Sequence, residues 1–212
     1  MAGLSACSTA TRSSSALQPD WPSVATGNAG VIPRPGIAPA TVVDPRFANV
    51  AARTSWTTML PDSKGMNQMT PIRSVTVHHD GLPSPLASTR SRDAQDRLRT
   101  IRRGHVNHNG WADIGYHFAI DRSGRVWSCR PLVWQGAHVK DRNEGNIGVL
   151  VLGNFEIERP TSAQLNALAI HLKTLVAAYR IPQRKVYTHR EWPGAATACP
   201  GRNLQPAVNR IR

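Results

Sequence analysis

The sequence predicts an α/β domain with a central mixed β-sheet flanked by helices, behind a disordered N-terminal arm. Three observations carry this prediction. Short β-rich runs such as SVTVH (74–78) and NIGVLVLG (146–153) alternate with helical patterns. A hairpin signal lies at 116–129. The first 45 residues, by contrast, are rich in Ala, Ser, Thr and Pro, with prolines at 19, 22, 33, 35, 39 and 45 and no apolar period. Such a stretch buries too little surface to offset its ordering entropy. The chain therefore divides into an arm, 1–45, and one folded domain, 46–212, and 212 residues leave room for no more than that.

The elements follow in order. Ser74-Val75-Thr76-Val77-His78 reads as a strand. Residues 90–106 are polar and basic, with Leu98, Ile101 and Val106 at intervals, the pattern of an amphipathic helix. Tyr116–Ile120 and Arg125–Cys129 flank the turn Asp121-Arg122-Ser123-Gly124. The continuous apolar run Asn146–Gly153 fits a central strand buried on both faces. Thr161 then offers an N-cap with Gln164 as its capping-box partner. Leu165, Leu168, Leu172, Leu175 and Val176 form one stripe of that helix, which Pro182 ends. Lys185–His189 is a last short strand.

Charge and cysteines narrow the function classes. The net charge is +13: residues 1–70 carry five basic and three acidic groups, and residues 71–212 carry 21 and 10. Arginines at 90, 92, 97, 99, 102 and 103 could contact phosphate. No zinc-finger spacing, helix-turn-helix or RNP pattern accompanies them, so no nucleic-acid partner is expected, and the run reads as a solvated helix face. Three cysteines make no disulfide framework. Leu4-Ser5-Ala6-Cys7 resembles a lipobox, which makes Cys7 a candidate lipid anchor. Only Met1-Ala2-Gly3 stands where a charged and then apolar leader belongs, so an ordinary small-residue start is the alternative.

Two predicted strands end in histidine, His78 and His189, and Cys199 follows ten residues after the second. Neighbouring strands lie about 4.8 Å apart, so the two imidazoles could share a metal with Cys199 as a third ligand. Three protein ligands and an open position suit catalytic zinc. A blue-copper reading lacks a following Met. Spacing alone leaves the matter open, because eight histidines give many chance pairings and a lone Cys is more often a small core residue.

Taken together, the motifs resemble the zinc amidases of the peptidoglycan-recognition-protein and phage-lysozyme type, N-acetylmuramoyl-L-alanine amidase family 2. The resemblance runs from about Arg53 to Leu204. It is carried by RTSW (53–56), SVTVHHDG (74–81), HVNHNGWADIGYHFAIDRSGRVWSCR (105–130), GAHVKDRNEGNIGVLVLGNF (136–155), PTSAQLNAL (160–168), YTHRE (187–191) and TACPG (197–201). The absence of the paired cysteines of animal members points to a bacterial or phage member.

The resemblance implies the amidase-2 fold and one zinc ion per chain on His78, His189 and Cys199. It implies Tyr116 and Thr197 as catalytic residues, although the segment between His189 and Cys199 is about two residues longer than in the family. His138 corresponds to a groove histidine expected to contact substrate. Trp134 and Asn154 are further candidate substrate contacts, with packing and a turn as their alternatives. The implied activity is hydrolysis of the amide between N-acetylmuramic acid and L-alanine in peptidoglycan or muropeptides, by an extracytoplasmic monomer. A non-catalytic peptidoglycan-binding module is the alternative. His79, His105, His108, Asp113, His171 and Cys129 read as structural.

Overall fold

The protein is described by a computed structural model in which residues 45–212 are placed. Cys7 and the expected arm, apart from Pro45, lie outside the described residues. The β-rich runs form five strands: β1 (Ser74–His79), β2 (Phe118–Ile120), β3 (Val126–Ser128), β4 (Asn146–Val151) and β5 (Val186–Thr188). Their order is β3-β2-β4-β1-β5, parallel throughout except for the β2–β3 hairpin. The sheet is therefore mixed, as expected.

Alternation of side chains divides the core in two. Val75, Val77, Phe118, Ile120, Ile147, Val149 and Val151 point to one face and pack with Leu168, Leu172 and Leu175 of α2 (Ser162–Tyr179) and with Ala207 and Val208 of α3 (Gln205–Ile211). Ala119 and Leu150 point to the other face, toward Leu98 and Ile101 of α1 (Ser91–Asn107), Trp56 and Trp127. β4 is buried along its whole length, which explains its unbroken apolar run. Helix α2 starts with the expected capping box. Gln164 N–H donates to Thr161 Oγ1 (3.0 Å), and Thr161 N–H donates to Gln164 Oε1 (3.1 Å).

Part of the arginine run departs from expectation: Arg90, Arg92 and Arg103 are exposed, but Arg97 and Arg102 are not. Arg97 donates twice to the buried carboxylate of Asp80 (2.7 and 3.0 Å), and Arg102 donates to Asp113 Oδ1 (2.8 Å), which also accepts from Arg53 (2.9 Å). Arg97 and Arg102 thus tie α1 to the end of β1 and to the loop before β2. Among the described residues, no helix is long and apolar enough to cross a membrane.

A candidate metal centre beside a basic groove

Register brings the candidate ligands together. Val77 pairs with Thr188 across parallel β1 and β5, so His78 and His189 are the next residues on neighbouring chains. Their ring centroids are 4.8 Å apart. His78 follows Thr76 on the α1 side of the sheet, and its ring is almost fully buried. At His189 the chain turns into a 3-10 helix, His189–Glu191. Glu191 holds this turn by accepting the Thr188 N–H (2.7 Å) and is itself held by Arg212, just past the last helix (2.5 and 2.6 Å).

Cys199 arrives from the loop before α3, with a cis peptide to Pro200. The Cys199 N–H donates to Thr197 Oγ1 (3.1 Å), and the Cys199 carbonyl accepts the Arg190 N–H (3.0 Å). One ligand atom each from His78, His189 and Cys199 lies within 4.8 Å of the other two. No other such group of His, Cys, Asp and Glu occurs among the described residues.

The donor set fits zinc. Tetrahedral ligands at about 2.3 Å for sulfur and about 2.05 Å for nitrogen stand about 3.6 Å apart. Cys199 Sγ and His78 Nδ1 are 3.6 Å apart. Burial pushes the Cys199 thiol up to about 12 without a cation, and the same burial, then the neighbouring His189 and His138, hold the His78 imidazole well below its usual range. An uncharged His78 nitrogen, the His189 imidazole and one displaceable thiol proton form a donor set that a divalent cation would complete.

Tyr116 stands against this set, its ring centroid 5.1 Å from that of His78. Burial raises its phenol well above 10, so it remains a proton-bearing donor at neutral pH. The Thr197 hydroxyl is two residues from the thiol and accepts the Cys199 N–H.

The three candidate substrate contacts, His138, Asn154 and Trp134, are placed as follows. His138 is only 2% exposed and lies behind His78 rather than in the groove. Its Nδ1 is 3.0 Å from His78 Nε2, and its Nε2 is 3.1 Å from the Asn146 carbonyl oxygen. Both ring nitrogens are therefore engaged within the protein. Asn154 serves the turn that was its alternative: Nδ2 donates to the Gly81 and Leu82 carbonyls (3.2 and 3.3 Å), and Oδ1 accepts the Glu156 N–H (3.1 Å). Trp134 is half-buried and is not among the residues lining the groove, and its carbonyl oxygen is 3.1 Å from His117 Nε2.

A groove of about 1270 Å³ is lined by chain neighbours of the cluster, though not by His78, His189, Cys199 or Tyr116 themselves. Gly136 and Ala137, just before His138, line one side; Tyr187 and Trp192, on either side of His189, line another. Arg73, Arg130, Lys140, Arg142 and Lys185 face it against Asp141, Glu144 and Glu191, so its lining is net basic. Arg130 is buried and donates to three carbonyls, of Asp113, Ile114 and Gln135 (3.1, 2.8 and 2.6 Å). A smaller cavity of about 360 Å³ lies between Trp56–Met59 and the arginines of α1 and includes no residue of the cluster.

Sequence reasoning missed Arg130 and the Tyr187–Trp192 pair, whose rings are 4.3 Å apart. Trp192 Nε1 donates to Thr76 Oγ1 (2.9 Å) under the groove. The one available signal was an aromatic three residues after a strand-end histidine.

His79, His105, His108 and His171 make contacts within the fold. His105 is buried in α1 and accepts the Gly115 N–H (2.9 Å); His108 caps the same helix. His171 packs on Phe118 and Phe47, and the His79 ring accepts the Phe155 N–H (3.1 Å). Cys129 is a buried free thiol.

Residues 68–202 match a family described as N-acetylmuramoyl-L-alanine amidase. The human protein of that name is 32% identical over 133 residues, covering 62% of this chain; the match spans only 23% of the human protein's length. Peptidoglycan-recognition protein LB of Drosophila melanogaster is 31% identical over 162 residues, which is 74% of this chain and 66% of that protein. Among solved structures, a Tyr-to-Phe variant of the Drosophila LB protein in complex with tracheal cytotoxin superposes with a TM-score of 0.67 at 28% identity, over 76% of this chain and 93% of the other.

Proposed function

This chain belongs to the N-acetylmuramoyl-L-alanine amidase family, and from that premise we propose that it is a zinc-dependent hydrolase of the bond between the lactyl group of N-acetylmuramic acid and L-alanine in peptidoglycan. The observation that carries the proposal is the convergence of His78, His189 and Cys199 within 4.8 Å, with Tyr116 against them. Members that only recognise peptidoglycan need a groove; a buried three-ligand set beside a protonated phenol has its use in catalysis.

His78, His189 and Cys199 would hold one zinc ion per chain, which supplies Lewis acidity and an activated water at neutral pH. Tyr116 donates its phenolic proton as a hydrogen bond to the carbonyl oxygen as negative charge develops there. Thr197, anchored through the Cys199 N–H, offers a second hydroxyl to the same oxygen. The basic groove lining, Arg73, Lys140, Arg142 and Lys185 among it, orients the stem peptide through its carboxylates. Arg130, with its guanidinium already committed to carbonyls, stiffens the wall. Such a substrate places the protein outside the cytoplasmic membrane.

Purified peptidoglycan tests the reading. Cleavage should release new L-alanine amino termini, stop on removal of zinc by a chelator and return when zinc is added back. Retention of peptidoglycan without any new amino termini would instead identify a recognition module.

A further inference from the structure

The role of His138 follows from its hydrogen bonds. Its Nε2 lies 3.1 Å from the Asn146 carbonyl oxygen, which can only accept, so Nε2 carries the proton. A second ring proton would put a charge in a buried site, and neither hydrogen-bond partner is a carboxylate, so Nδ1 is a bare acceptor. His78 Nε2, 3.0 Å away, must then donate to it. The His78 proton is thereby placed on Nε2, and the unprotonated Nδ1 turns its lone pair toward Cys199 Sγ at 3.6 Å, where it can accept from the thiol.

The sequence builds a slot for this ring. A Cβ on Gly148 would stand 2.6 Å from His138 Cδ2, and a Cβ on Gly136 2.5 Å from the same atom, so only glycine at both positions leaves room. Asn143 Oδ1 pins the backbone by accepting the N–H groups of His138 (2.9 Å) and Val139 (3.0 Å). The position that received this ring, directly behind the ligand, therefore depends on three further residues.

We propose that His138 is a positioning residue: through the chain Asn146 O, His138, His78 it fixes His78 as the Nε2–H tautomer and so presents Nδ1 to the metal. The proposal rests on the zinc reading above and assigns to His138 a role other than substrate contact. Partners of this kind typically change metal affinity by about 10–100-fold when removed.

Two measurements test it. In the metal-free wild-type protein, nitrogen-15 spectra should show His78 as the Nε2–H tautomer; an Nδ1–H tautomer would overturn the proposal whether or not any variant folds. Zinc dissociation constants, read by competition with a chromophoric chelator, should rise about 10–100-fold in His138→Leu. They should rise similarly in Gly148→Ala, where His138 remains but its slot is filled. His138→Asn, which keeps an acceptor near the Nδ1 position, should recover part of the loss. Zinc binding in His138→Leu and Gly148→Ala within twofold of wild type would refute the positioning role. A wild-type protein that takes no zinc would count against the metal reading itself, while the tautomer spectrum would still decide for or against His138.

Discussion

Replacing Asp80 with Ala should be among the most damaging single changes away from the metal ligands. This carboxylate is 1% exposed and lies two residues beyond His78. Oδ1 accepts the Leu82 N–H (3.0 Å) and Arg97 Nη2 (2.7 Å); Oδ2 accepts the Gly153 N–H (2.9 Å) and Arg97 Nε (3.0 Å). One side chain thus ties the end of β1 to α1 and to the exit of β4. Its removal leaves a guanidinium that is only 10% exposed without its carboxylate. Breaking a buried pair in this way costs about 3–5 kcal/mol. For a domain of this size, that corresponds to a fall in melting temperature of roughly 6–20 °C. Urea unfolding of wild type and variant measures the difference directly. Pairing Asp80→Ala with Arg97→Met should recover part of the loss, because the stranded charge goes too; the N–H groups of Leu82 and Gly153 would still lack their acceptor. A loss below about 1 kcal/mol for Asp80→Ala, in the range of exposed pairs, would refute the reasoning, as would strictly additive effects in the double variant.

Other expectations follow from the same geometry. Tyr116→Phe should keep its zinc while kcat on muropeptide falls about 10²–10³-fold, the usual cost of one lost oxyanion donor; unchanged turnover would remove Tyr116 from the chemistry. His171 is buried among Phe47 and Phe118 with Nε2 unpartnered, and burial lowers it to about 4. Because the folded value lies below the unfolded 6.5, stability is intact above pH 6.5 and is lost as pH falls through 4, by about 3 kcal/mol in all. His171→Leu should flatten that part of the stability-versus-pH curve. Thr161→Ala should cost about 1 kcal/mol by removing the cap of α2, measurable in the same urea series.

The strands and the two long helices were legible because their patterns are local. SVTVH and NIGVLVLG announced β1 and β4, and the Thr161–Gln164 box located the start of α2 to the residue. The convergence of the candidate ligands was legible for a related reason: both histidines sit at strand ends, and parallel register brings them side by side. What escaped was decided by tertiary packing. Helix α3 spans seven residues and has no side-chain cap to announce it. The arginines of α1 look solvated in sequence, yet Arg97 and Arg102 find Asp80 and Asp113, 17 and 11 residues away. His138 resembled a groove residue because nothing local reveals that Gly136 and Gly148 open a slot behind His78.

The most direct measurement of the central claim is hydrolysis of a defined muropeptide in water enriched in oxygen-18, followed by mass analysis of both products. Zinc-dependent amidase action places one heavy oxygen on the lactyl carboxyl of N-acetylmuramic acid and releases a stem peptide with a free, unlabelled L-alanine amino terminus. Label on a peptide carboxyl or at a sugar reducing end, or binding with no product, would contradict it.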